Sequence, residues 1–195
     1  MMVTIETLSG AGIAEGLAAV ARLRIGVFRD FPYLYDGSMD YEQDYLARLA
    51  AAAGSVIVVA RDGEDIVGAA TACPLAAEHD AFSTPLRRLG LNVAHIFYCA
   101  ESVLLPDYRG MGFGHAFFDR RESAARAFGA RHSAFCAVIR PEDHVSRPAD
   151  YRPLDPFWRK RGYAPVENAI AQFSWKDVGD TAETTKSLQF WMREL

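Results

Sequence analysis

The sequence predicts an α/β fold, with a mixed central sheet of about seven strands flanked by about four helices. Three observations predict it. Along the 195 residues, apolar positions switch between the two-residue period of strands and the 3.6-residue period of helices. Turn and capping residues fall at the changeovers. The resulting order, βααβββαβαββ, combines a hairpin with strand–helix–strand units, so the sheet is mixed and carries helices on it.

At the N-terminus, residues 2–8 alternate Val3 and Ile5 with more polar neighbours, as a half-buried strand does. From Ile13 to Phe28 the positions Ile13, Leu17, Val20, Ala21, Leu23 and Val27 keep helical spacing, and Asp30 and Pro32 stop the run. An aromatic connector, FPYLYDG, ends in a turn dipeptide. Asp40 followed by Gln43 reads as the capping start of a second helix over about 41–53, with Gly54 as its stop. Two β-branched runs joined across Asp62-Gly63 read as a hairpin. The polar stretch 77–92 carries no clear element. VAHIFYCAESVLL is a strand long enough to need a kink or bulge.

A helix over about 112–128 follows, closed by Gly129, with Phe113, Phe117, Ala124 and Phe128 on its apolar face. RHSAFCAVIRP is a further strand, 141–153 a loop rich in Pro, Arg and Asp, and DPFWRKRGY a short helix ended by Gly162. AIAQFSWKDV and SLQFWMREL close the chain as strands. The latter's apolar run suits a homodimer interface or an ordinary closing strand equally. No linker or repeat divides residues 1–195, which are expected to form a single domain.

Composition narrows the function. A net charge of -4 argues against a generic nucleic-acid binder, which would be basic. Cys73, Cys99 and Cys136 are far apart and form no CxxC pair, and the five histidines are scattered, so neither a redox motif nor a metal site is expected. The N-terminus lacks the basic and apolar regions of a secretory signal, and no apolar stretch reaches membrane-spanning length. A cytoplasmic protein, with no nucleic-acid or membrane partner, is the expectation.

The most informative stretch is LLPDYRGMGFGHAFF, where Gly110, Gly112 and Gly114 crowd the passage from strand to helix. Glycine costs conformational entropy, so this density needs a reason. The dinucleotide pattern G-x-G-x-x-G fails, since the third glycine would have to be His115 or Phe117, and the lysine-hydroxyl ending of a P-loop is absent. Arg109, Gly112 and Gly114 instead satisfy R/Q-x-x-G-x-G/A. At a helix start, free amides and the positive dipole end face an anion, and side-chain-free residues let it approach.

These residues resemble the most characteristic segment of the GNAT superfamily of acetyl-CoA-dependent N-acetyltransferases, with Leu104 where valine is commonest. The element order resembles that fold end to end, and FWRKRGY resembles its C-terminal F-Y-x-K-x-G-F signature. The resemblance implies that the backbone from Arg109 through Gly110, Met111, Gly112, Phe113 and Gly114 holds the pyrophosphate of acetyl-CoA. It also implies that the backbone of Leu104 and Leu105 pairs with the pantetheine arm where two central strands splay, an amide there facing the thioester carbonyl. Glu101 stands where these enzymes often carry a general base. The usual tyrosine acid is replaced by Trp158, whose indole cannot serve, leaving Tyr151 as a substitute and Tyr163 as a more core-like one.

In this family the acceptor pocket forms largely from the first two helices and their connector. Here Tyr33, Tyr35 and Asp36 would suit a cationic amine. The implied activity is direct acetyl transfer to a primary amine on a small molecule. A protein N-terminus or lysine as acceptor, and a catalytically silent acyl-CoA sensor, are the alternatives.

Overall fold

The computed structural model describes residues 3–195. Met1 and Met2 lie outside them, so the first strand is described from Val3. Seven strands form one sheet, β1 (Val3–Ser9), β2 (Val56–Asp62), β3 (Asp65–Pro74), β4 (Ile96–Leu104), β5 (His132–Val138), β6 (Ala164–Trp175) and β7 (Thr184–Glu194), in the order β1-β2-β3-β4-β5-β7-β6. Every neighbouring pair is antiparallel except β4 and β5. The helices are α1 (Ile13–Phe28), α2 (Met39–Ala51), α3 (Asp80–Arg88), α4 (Phe113–Phe128) and α5 (Asp155–Lys160).

The alternation in β2 divides the core. Ile57 and Val59 face α1 and α2, packing with Val20, Leu23 and Leu46. Val58 and Ala60 point the other way, against Phe117 of α4. The sheet is therefore covered on both faces, and both sets of β2 side chains are buried.

Two sequence expectations change. The polar stretch 77–92 contains α3, a helix whose inward stripe is narrow: Ser83 and Leu86 are its buried residues, and Pro85 interrupts it. Among the described residues there are thus five α-helices. Helix α2 starts two residues early, because Ser38 caps it by accepting from the Tyr41 N–H, and Asp40 lies in its first turn. The closing run SLQFWMREL is an inner strand: β7 is paired on both edges, to β5 and β6.

Two features of the sheet prepare a site. Thr71 faces Glu101 but Ala72 faces Cys99, so Ala100 is an extra residue that bulges from β4. Next, β4 and β5 pair only over Ile96–Tyr98 and His132–Ala134, while β5 stays on β7 to Val138 and β4 stays on β3 to Leu104. Each strand keeps its other neighbour, so the two diverge and a gap opens between them.

The connector between α1 and α2 is fastened across the sheet. Arg140 donates to the carbonyls of Pro32 (2.8 Å) and Tyr33 (2.7 Å) and forks onto both carboxylate oxygens of Asp177, at 2.7 and 3.0 Å. Lys186 adds a 3.0 Å ion pair to the same carboxylate. Trp175 Nε1 donates to the Tyr33 carbonyl at 3.0 Å, and Tyr35 bridges to Asp177 through the backbone.

Burial opposes ionisation of Asp177, yet its bonds to Arg140 and Lys186 outweigh burial and hold the carboxyl below its ordinary value. A depressed folded pKa contributes stability that is present above the unfolded value of about 3.9 and lost as pH falls through the folded value. Asp177→Asn should therefore melt below wild type near neutral pH, the gap closing as pH falls well under about 4. Melting temperatures across that range test this, and a constant gap would contradict it.

Candidate active site

Glu101 sits immediately after the bulged Ala100, and its side chain passes to the α1/α2 face of the sheet. There Glu101 Oε2 takes a 2.7 Å ion pair from Arg24 Nη1 and a 3.0 Å hydrogen bond from the Tyr45 hydroxyl. Arg24 is also paired, through Nε, with Glu42, which is fully buried and accepts a 2.8 Å bond from the Tyr35 hydroxyl. Two carboxylates thus share one guanidinium, leaving a net charge of about minus one inside the protein. Glu101 Oε1 is buried and has no hydrogen-bond partner.

Arg24, Tyr35, Tyr45 and Glu101 line a cavity of about 100 Å³ walled by aromatic rings, among them Phe28, Tyr33, Tyr98, Phe82 and Trp175, with Glu42 behind the wall. Burial would weaken the charge of Arg24, but Glu101 and Glu42 outweigh it and hold the guanidinium firmly protonated. Burial, reinforced by the Glu101 charge, pushes the Tyr45 phenol well above its ordinary value, and burial does the same for Tyr33, Tyr35 and Tyr98. All four stay neutral hydrogen-bond donors near pH 7. Cys136 also lines the cavity. Its thiol is pushed up by burial and stays protonated, so it is a packing residue rather than a nucleophile.

On the other side of the gap, α4 begins at the glycine turn. Gly110 and Gly112 have φ of +78° and +88°, which side chains rarely adopt, and a Cβ on either would meet nothing within 4 Å. Gly114 is helical and lies 3.4 Å, at its would-be Cβ, from the Phe157 ring. The two positive-φ glycines thus shape the turn and keep space open before the Phe113 and Gly114 amides, while the next two, His115 and Ala116, donate to the Gly112 carbonyl. Met111 is exposed beside them. The space, the amides and Arg109 fit a pyrophosphate. Arg109 Nε rests on the Leu104 carbonyl at 3.2 Å, tying the arginine to the end of β4.

The structure brings Glu101, Tyr33 and Tyr35 to one cavity and separates the other expected residues from it. Asp36 is bound to Lys176 (2.7 Å) and Arg29 (3.2 Å) and does not line the cavity, so it is spent on the surface. Tyr151 packs edge-on to Phe31, ring centres 4.7 Å apart, also outside the lining. Tyr163 is core, its hydroxyl bound to Ser133 at 2.8 Å. Leu105 drops out as a pantetheine partner: its N–H donates to Val67 (3.0 Å) and its carbonyl accepts from Tyr108 (3.1 Å). By strand alternation, Leu104 and Ser102 are the residues whose N–H groups turn from β3 towards the gap.

Sequence reasoning missed Arg24, Glu42 and Tyr45. The signal was present: Arg24 falls on the apolar stripe Leu17–Val20–Arg24–Val27, and Glu42 on the stripe with Leu46 and Leu49. A charge on the buried face of a helix needs a buried partner.

A glycine turn that opens a helix at the end of a splayed strand, beside a buried carboxylate, is an arrangement that an acyl-CoA-dependent transferase can use. The sequence profile of the acetyltransferase (GNAT) family matches residues 21–149, and the chain belongs to that family. Among solved structures, an N-acetyltransferase from Staphylococcus aureus Mu50 is 13% identical, with a TM-score of 0.62, covering 100% of this chain and 99% of that one. A Salmonella typhimurium protein described as an acetyltransferase and solved with acetyl-CoA is 15% identical (TM-score 0.60; 100% and 95% covered). A ribosomal-protein-alanine N-acetyltransferase from Brucella melitensis is 13% identical (TM-score 0.63; 100% of both chains). At such identities these likenesses show the fold. No curated protein sequence matches the chain. Among the described residues no helix is long and apolar enough to cross a membrane, and no cluster of His, Cys, Asp or Glu could hold a metal ion.

Removing Arg24 would leave Glu42 and Glu101 buried together without a cation. Arg24→Met should cost about 3–5 kcal/mol in urea unfolding at pH 7. The loss should shrink as pH falls and the stranded carboxylates protonate. A loss under ~1 kcal/mol would show that the carboxylates do not depend on Arg24.

Proposed function

We propose that this chain, acting as a single domain, transfers the acetyl group of acetyl-CoA to a primary amine on a small molecule by direct attack in a ternary complex. The observation that carries this reading is the placement of Glu101. Its carboxylate lies at a strand bulge beside the gap, in an aromatic cavity, with one oxygen free of partners. An acceptor ammonium entering the cavity meets the net negative charge of the Arg24–Glu42–Glu101 group and the faces of the aromatic rings.

Amines are mostly charged at neutral pH, so a proton must leave before attack. Glu101 Oε1 takes it. The amine nitrogen then forms the N–C bond as the C–S bond breaks, the electron pair leaves on sulfur as CoA thiolate, and the extra proton on the new amide nitrogen passes to that thiolate to give the CoA thiol. Pyrophosphate binding falls to Arg109 and the turn from Gly110 to Gly114, with the pantetheine arm along Leu104. Protonated Cys136 supports direct transfer over a covalent acyl-enzyme. The cavity's size and aromatic walls favour a small amine over a protein chain end. Trp158 packs on Phe135 and Trp191, ring centres 4.9 and 5.1 Å away, so neither it nor Tyr151 is assigned as acid.

Glu101→Gln should lower kcat by roughly 10²-fold or more while leaving the KM for acetyl-CoA within a few-fold. Wild-type turnover at every pH would exclude Glu101 as the base. Arg109→Glu should weaken acetyl-CoA binding by about 10-fold or more with the melting temperature unchanged. Unchanged affinity would remove the cradle from the account.

A further inference from the structure

We propose that Arg121 of α4 is a positioning residue for acetyl transfer. Its buried guanidinium fixes the β4 bulge and polarises the Glu101–Ser102 peptide, whose N–H faces the gap between β4 and β5. This rests on the acetyl-transfer reading above.

Arg121 is 1% exposed, and among the described residues no carboxylate pairs with it. The other buried cations have acids: Arg24 has Glu42 and Glu101, and Lys186 has Asp177. A buried charge without a counter-ion is costly, and a leucine or methionine would fill such space more cheaply. Arg121 is instead satisfied by neutral oxygens. Nε donates to the Phe117 carbonyl in the preceding turn at 3.2 Å, which orients the fork. Nη1 donates to the Glu101 carbonyl at 2.8 Å and reaches the Thr71 carbonyl at 3.4 Å. Nη2 donates to Ser102 Oγ at 2.9 Å.

Thr71 and Glu101 are the last residues in register before Ala100 is skipped. The fork therefore clasps both strands where the ladder shifts, and it does so from the α4 face, opposite the Glu101 carboxylate. Holding the Glu101 carbonyl there keeps its side chain turned towards Arg24 and the cavity.

The second consequence is electrostatic. In a trans peptide the C=O of Glu101 and the N–H of Ser102 point in opposite directions. The Leu105 N–H points to β3, so by alternation the Ser102 N–H points away from it, towards the side where β5 has left. A cation on the carbonyl end of a peptide strengthens the donor at its other end. A thioester carbonyl lying against β4 in the gap would take that bond, which tightens as negative charge develops on oxygen. The cation acts through the peptide and touches neither substrate.

The test is the isotope-edited infrared band of the ¹³C-labelled thioester carbonyl of acetyl-CoA bound to the full chain. In the wild type it should lie below the band of free acetyl-CoA. Arg121→Gln should move it back towards the free position, and Arg121→Lys, which keeps the charge on a single-point contact, should fall between. With 2-phenylethylamine as acceptor, kcat should fall about 10-fold or more in Arg121→Gln, with partial recovery in Arg121→Lys and little change in the KM for acetyl-CoA. A wild-type band position in both variants overturns the proposal, as does one in Arg121→Lys alone if Arg121→Gln fails to fold. Glu101→Gln keeps this backbone and should leave the band unmoved, so failure of Glu101 as base appears in turnover and failure of Arg121 in the spectrum. Absence of acetyl-CoA binding by the wild type would remove the acetyl-transfer reading and this proposal together.

Discussion

The divergence of β4 from β5 is the constraint on which the rest of the site depends. Each strand is held along its length by its other neighbour, β4 by β3 and β5 by β7, so the parallel pairing ends after three residue pairs. Backbone groups at the end of β4 are left facing open space in the middle of a sheet. Unpaired N–H and C=O groups are an invitation to an extended ligand, and here the strand runs straight into the glycine turn that opens α4. The edge of the gap on β4, the turn and the bulge lie within about fifteen residues of chain, so one local arrangement brings them together.

Buried charge gives that arrangement its rigidity and its chemistry. Two arginines approach the bulge from opposite faces. Arg24 comes from α1 to the carboxylate of Glu101, and Arg121 comes from α4 to its carbonyl. Neither charge is sheltered by solvent, so each has effectively one low-energy place to be. The aromatic connector is fixed in a related way, by Arg140 and Lys186 converging on Asp177, and this carries Tyr33 and Tyr35 to the cavity wall.

The parts legible in the sequence were those set by local rules. Periodicity marked all seven strands and α1, α2 and α4. The spacing of Gly110, Gly112 and Gly114 marked the turn that opens α4, and the length of the β4 run implied its bulge. Long-range partners were less legible. Asp36 looked available until Lys176, 140 residues on, claimed it, and Leu105 until Val67 took its amide. Helix α3 escaped because its apolar stripe is thin and holds a proline. Arg24 and Arg121 were visible only as charges on apolar helix faces, and nothing local says which strand atoms they meet.

The central claim is that the glycine turn and the gap beside it bind acetyl-CoA. Calorimetric titration of the full chain with acetyl-CoA, using NAD and ATP as controls, tests it most directly. The account predicts saturable one-to-one binding of acetyl-CoA with no comparable heat from either nucleotide. No binding of acetyl-CoA, or equal binding of NAD, would contradict it and leave the glycines as a turn alone.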